Sequence, residues 1–210
     1  MHTLVIDTAT EACSVALFDG DKLIAGNYAK LGRGHAERLV PMIAALPGNG
    51  KADAIIVNCG PGSFTGLRVG LSAAKALGLA WSVPVTGYNC LGLVAIMALV
   101  QQDGVDGVDV AMHGGHGEFF VQPYAPDGKA AGELASLTPE IAAARLQYNL
   151  IAGSGSEKLV SLCDNARALS LWPDARQAMR LPEHARALPA EPVYGRAPDA
   201  KPMAQQAKTR

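Results

Sequence analysis

The side chains that could do chemistry in this chain are concentrated in a few places, and the densest runs from Asn58 to Gly70. There Ser63, Thr65 and Arg68 stand among Gly60, Pro61, Gly62 and Gly66, so hydroxyls and a guanidinium share a turn with unusually free backbone. Glycines permit positive φ, and a strand-to-helix turn presents free N–H groups at the positive end of a helix dipole. Such a turn suits an anion or a partner's backbone. Two familiar phosphate motifs fail on it. Gly66 is followed by Leu67 and Arg68 rather than by Lys and Ser/Thr, and the sixth place from Gly60 is Thr65 rather than Gly. The bland alternative is a tight turn that only packs a helix onto a sheet.

Asp7, with Thr8 and Thr10 close behind, is a second candidate: an acid beside hydroxyls at the end of an apolar run. His113 and His116 lie on a Gly-rich turn and could share a zinc ion. A closed site needs four ligands and no third is evident nearby, so the exposed-turn reading is favoured and no metal is expected. Ser63 as a nucleophile would need a histidine base oriented by a third group, which the sequence neither displays nor excludes. Cys13, Cys59, Cys90 and Cys163 have no CxxC spacing, and three adjoin apolar segments; buried, reduced thiols are expected.

Composition narrows the classes. With 210 residues, 49% of them hydrophobic, the chain can bury a core as one domain or two small lobes. A formal net charge of -1 leaves no global electrostatic footprint for nucleic acid or anionic membrane. Any RNA contact would be local or supplied by a partner. Met1 and His2 lead straight into an apolar strand without a basic region, and no apolar run reaches membrane-spanning length, so a cytoplasmic location is expected.

The elements that must position these groups follow from periodicity. Residues 3–8, 12–18 and 22–28 read as three strands of an antiparallel meander, with Asp19-Gly20 as the second turn. From His35 the apolar positions Leu39, Met42, Ile43 and Leu46 take helical spacing, with Pro41 inside the helix. A strand over 54–59, the Gly-rich turn, a helix over 67–81, a strand over 83–87 and a helix over 90–100 complete a βββαβαβα order. After the polar break at 101–104, residues 108–112 and 118–124 read as a hairpin. Thr138 and Pro139 open a helix, 150–152 is a strand, and 153–156 leads into a helix through 162. The division expected is a lobe over 1–102, a reduced lobe over 103–200 and a disordered tail over 201–210.

In the helix after the turn, Gly66, Gly70, Ala74 and Gly78 recur every four residues, which leaves one face almost without bulk. Each interior glycine costs about 0.8–1 kcal/mol against alanine, so something must pack closely there. That partner is either this protein's own sheet or another subunit.

The βββαβαβα order is that of the actin, sugar-kinase and heat-shock ATPase (ASKHA) superfamily, and the motifs resemble one family within it. Residues 6–10 (Ile-Asp-Thr-Ala-Thr), 35–41 (His-Ala-Glu-Arg-Leu-Val-Pro) and above all 60–75, from Gly60 to Lys75, are similar to the TsaB (YeaZ) family. The resemblance implies a two-lobed, actin-like α/β fold with a reduced second lobe. It further implies a non-catalytic partner of TsaD in making N6-threonylcarbamoyladenosine (t6A) beside the anticodon of tRNA. TsaD would carry the metal and the threonylcarbamoyl-adenylate, the ATPase TsaE would join the pair, and tRNA would be met through the complex. A homodimer is the alternative state of the isolated chain. No cofactor is assigned to this chain. The interface implied is the pair of first-lobe helices, with His35, Leu39, Met42, Ile43, Leu46, Gly70, Leu71, Ala74, Lys75 and Gly78. Asp7, Thr8, Thr10, Gly60, Gly62, Ser63, Thr65 and Arg68 are the candidates for ligand-facing loops.

Two departures from the family pattern stand out. Residues 113–118 read His-Gly-Gly-His-Gly-Glu where the family carries Asp-Ala-Arg-Arg-Gly-Glu, and Tyr194-Gly195-Arg196 has glycine where an aliphatic residue is usual. The rival readings are a peptidase of glycoprotease type and an independent nucleotide-binding ATPase. Against both stand the missing second phosphate loop and a helix with only His35, where TsaD-type proteins carry paired histidines.

Overall fold

The computed structural model describes residues 1–195. The expected tail and Arg196 therefore lie outside the described residues. Strand β1 (His2–Asp7) pairs antiparallel with β2 (Ala12–Asp19), which pairs with β3 (Lys22–Lys30). Helix α1 (His35–Ala44) comes next, then β4 (Ala54–Asn58), α2 (Phe64–Trp81), β5 (Val85–Tyr88) and α3 (Cys90–Gln101). Parallel pairing of β1 with β4 and of β4 with β5 gives the order β5-β4-β1-β2-β3.

Side-chain alternation explains why this sheet is covered on both faces. Leu4, Ile6, Val15, Leu17, Ile55 and Val57 point into a core shared with α1 and α2. Val5, Ala16, Phe18 and Ile56 point into a core on the opposite face, with Leu93 and Met97 of α3. α3 is apolar on two faces because Leu91, Val94, Ala95 and Ala98 belong to the core of the second lobe.

The second lobe is built from β6 (Val108–His113), β7 (Phe119–Tyr124), β8 (Ala135–Leu137), α4 (Pro139–Ala144), β9 (Leu150–Ala152), α5 (Ser156–Val160) and β10 (Arg167–Leu169). Its sheet order is β10-β9-β6-β7-β8. Pairings are antiparallel between β6, β7 and β8, and parallel between β6, β9 and β10. The first lobe has the same five-strand pattern, so the second lobe is reduced in helices but not in sheet order. Thr138 stands at the N-cap of α4 with Pro139 behind it, though its side chain makes no capping bond.

One expectation about lobes is corrected. Residues after 102 do not all belong to the second lobe, because a 3-10 helix (Ala175–Arg180) packs under the first sheet, and β11 (Leu188–Pro189) pairs antiparallel with β5 as that sheet's sixth strand. Ser14 Oγ accepts from Ala175 N at 2.9 Å, which ties the returning segment to β2. Among the described residues, no helix is long and apolar enough to cross a membrane.

Candidate functional site

The carboxyl ends of β1, β4 and β5 meet at Asp7. Its side chain is fully buried, Asn58 Nδ2 donates to Oδ2 at 2.7 Å, and the Tyr88 hydroxyl donates to the same oxygen. Oδ1 accepts from Ala9 N at 3.2 Å, while Asn58 Oδ1 accepts from Gly60 N at 2.7 Å. One acid thus ties together the ends of three parallel strands and the first residue of the Gly-rich turn. Burial pushes its pKa up to about 7, against the lowering effect of Tyr88, Asn58 and the Ala9 N–H.

A pH dependence results from that shift. An unfolded Asp releases its proton near about 3.9, whereas folded Asp7 holds it to about 7, so between those values the folded state binds the extra proton. The contribution is fully present below the unfolded pKa and is lost as pH rises through 7. Urea midpoints at pH 5 and pH 8 should therefore fall with pH in the wild type and vary less in Asp7→Asn. An unchanged pH slope in the variant would mean that Asp7 is ionised throughout.

The two loops pack directly on each other. Ser63 N donates to Ala9 O at 2.7 Å, Cys90 N donates to Gly60 O at 3.0 Å, and Thr8 Oγ1 donates to Gly66 O at 2.7 Å. A Cβ on Gly62 would lie 2.1 Å from Ala9 O, and one on Gly66 2.1 Å from Thr8 O. Of these glycines only Gly60 has positive φ, at 101°, and its bond to Pro61 is cis. Gly62 is therefore needed for the close approach of the two loops and not for a left-handed backbone.

The ligand-facing candidates then separate. Asp7, Thr8, Thr10 and Gly60 are buried, with Asp7 and Thr8 held in the contacts above and Thr10 Oγ1 accepting from Ala12 N at 3.2 Å. Gly62 is half-buried; Ser63, Thr65 and Arg68 are exposed. The Ser63 hydroxyl serves as the N-cap of α2, accepting from Gly66 N at 3.3 Å. The Arg68 guanidinium lies over the Phe64 ring at 3.6 Å, and Phe64 in turn meets Tyr194 with centroids 5.2 Å apart. Two surface concavities, of about 230 and about 620 Å³, are lined by residues 104–107 with 147–150 and Arg167, and by His2, Leu17, Ile24, 47–48 and 51–53. Neither involves Asp7 or the turn.

The interface candidates are corrected more sharply. Leu39, Met42, Ile43, Leu46, Leu71 and Ala74 are buried in this chain's own core. Gly70 faces Thr8 Oγ1, where a Cβ would stand 2.4 Å away, and Gly78 faces Val85 at 2.3 Å. The small-residue face of α2 therefore packs on its own sheet. His35 is half-buried with Nε2 3.3 Å from Ala12 O, and Lys75 is exposed. Large apolar side chains that do face solvent on these helices are Val40 (63% exposed), Phe64 (53%) and Leu79 (84%).

His113 ends β6 as Asp7 ends β1, and its Nδ1 lies 4.0 Å from Glu11 Oε1, across the lobes; the other Glu11 oxygen accepts from Trp172 Nε1 at 2.9 Å. His116 is exposed, and among the described residues no three His, Cys, Asp or Glu side chains gather as a metal group. Burial pushes the Cys13 thiol up to about 11 and raises Cys59 and Cys90 too, so these are poor nucleophiles at neutral pH. Asn58 and Tyr88 had a signal in the sequence: each is a polar residue ending an apolar strand run.

Two lobes with one repeated strand order, joined through a shared helix and meeting at the loops after β1 and β6, define an actin-like α/β protein of the ASKHA class. The chain belongs to the TsaB (YeaZ) family. It is 36% identical over 156 residues to the tRNA threonylcarbamoyladenosine biosynthesis protein TsaB of Escherichia coli K12, covering 70% of this chain and 67% of that protein. The Haemophilus influenzae TsaB is 42% identical over 98 residues, 44% of this chain and 41% of that one. The structure of YeaZ from Pseudomonas aeruginosa superimposes with a TM-score of 0.77 at 30% identity, covering 92% of this chain and 99% of that one. Residues 29–151 also match the family model described as TsaD: tRNA N6-adenosine threonylcarbamoyltransferase.

Proposed function

We propose that this chain is the non-catalytic partner of a TsaD-type transferase in tRNA t6A biosynthesis. The observation that carries the non-catalytic part is Asp7. In a nucleotide-using relative the first-loop acid must be free to meet a metal–phosphate group, whereas here both carboxyl oxygens are taken by Asn58, Tyr88 and Ala9. The adjoining loops fill the remaining space with their own backbones, and the Ser63 hydroxyl is engaged as a helix cap. These features favour a scaffold over the ATPase and peptidase readings. Membership of the TsaB family supplies the pathway, and the transferase match over 29–151, which runs from the end of β3 into β9, fits a shared ancestry that takes in parts of both lobes. Partner contact is assigned to the solvent side of α1 and α2, through Val40, Phe64 and Leu79, in place of the buried residues first expected.

Reconstitution tests this reading. With tRNA and threonylcarbamoyl-adenylate, the purified chain alone should give no t6A by nucleoside mass spectrometry, and addition of TsaD and TsaE should restore it. Substantial modification by the chain alone, or no effect of omitting it from the complete mixture, would refute the proposal.

A further inference from the structure

The segment after β11 leaves the first sheet and runs over the Gly-rich turn to the second lobe. Val193 N donates to Cys59 O at 2.7 Å, and Val193 O lies where a Cβ on Gly60 would be 2.9 Å away. Tyr194 meets Phe64 at the start of α2, with ring centroids 5.2 Å apart. Gly195 sits so close to Phe120 of β7 that a Cβ would be 2.5 Å from its ring, and 3.2 Å from Pro61. Five residues, 191–195, thus touch the turn, the helix it starts and the opposite sheet.

The contacts holding this segment differ in kind from those of the core. Glu191, Val193 and Tyr194 are exposed, and among the described residues the backbone ties beyond β11 are Glu191 N to Pro189 O and Val193 N to Cys59 O. Segments with exposed hydrogen bonds and few buried contacts open locally, at a small fraction of the global unfolding free energy. The turn beneath is different, being joined to the loop after β1 and to the start of α3 through the Ser63 and Cys90 amides.

We propose that residues 191–195 form a releasable strap that clamps the Gly60–Gly66 turn and bridges the lobes, so that its release loosens the turn and frees the Phe64 ring while the sheets stay intact. The clamp acts at the carbonyl of Cys59 and at Gly60, the first residues after β4. Gly60 N also donates to Asn58 Oδ1 and Cys59 N to the Tyr88 carbonyl, the two residues that hold Asp7, so loosening starts at the edge of that network.

Amide hydrogen exchange on two truncated chains tests the strap. A chain ending at Gly195 lacks only residues 196–210, whereas one ending at Ala190 lacks the strap as well. In the shorter chain the Ser63 and Cys90 amides should exchange about tenfold faster or more, while amides of the β1–β4 ladder keep their wild-type protection. The chain ending at Gly195 should match wild type at all of them. If Ser63 and Cys90 stay as protected without residues 191–195, the segment is a passenger and the proposal fails. It fails equally if the β1–β4 amides lose protection to the same extent, since the segment is then part of the global fold. Gly195→Val, whose side chain would press on Phe120, should reproduce the shorter chain's pattern in the full-length protein.

Discussion

Gly62→Ala is expected to destabilise the protein by roughly 2–4 kcal/mol, and Gly62→Val by at least as much, because the added Cβ would stand 2.1 Å from the Ala9 carbonyl oxygen. Backbone on both sides leaves nothing flexible to yield. Ser63 N already donates to that same carbonyl at 2.7 Å, so the loop cannot move away without losing the bond. For a chain of this size such a loss lowers Tm by roughly 5–15 °C. Gly20→Ala is the control: its φ is +56° and nothing lies within 4 Å of its Cβ, so only backbone strain is added. Thermal unfolding of the two variants side by side checks the claim, and a Gly62→Ala protein that melts with wild type would show that the loops are not in contact in solution.

The second large effect is expected on assembly rather than on folding. Leu79→Arg combined with Val40→Arg changes side chains that are 84% and 63% exposed, so Tm should move by no more than a few degrees. If these residues meet the partner, two charges at a desolvated contact should weaken the complex with TsaD roughly 30-fold or more, equivalent to about 2 kcal/mol. Ala74→Arg should behave in the opposite way. Ala74 is 0% exposed against this chain's own core, so its replacement should unfold the monomer before any partner is added. Sedimentation or co-elution with TsaD, paired with circular dichroism of each variant, separates the cases. Retained co-elution of the doubly substituted chain would remove the solvent face of α1 and α2 from the interface.

Local signals in the sequence were enough for the elements that depend on near neighbours. The meander of β1 to β3, the turn into α2 and the alternation of strands and helices to α3 all come from apolar periodicity and Gly-Pro punctuation, and they lie within a few residues of where the structure has them. The family was legible for the same reason, since residues 60–75 form one continuous stretch. Direction was not legible. Glycine or alanine at every fourth position of α2 announces that something approaches closely, but a face without side chains looks the same whether it meets a sheet or another subunit. Only the packing of Gly66 and Gly70 on Thr8, and of Gly78 on Val85, decided that the sheet fills it.

The state of Asp7 was hidden for a related reason. Its partners Asn58 and Tyr88 are 51 and 81 residues away, and an acid ending a strand reads equally as a ligand or as a buried tie until those partners are in place. The strap lay further from view, because β11 contains two residues and its pairing with β5 joins parts of the chain about a hundred residues apart. So short a strand has no periodicity to read, and its existence depends on an edge that the rest of the fold must first create. Near-neighbour patterns were enough for the first lobe's main elements, the class and the family; which faces are spent inside the molecule was decided by packing, because burial depends on residues far apart in the chain.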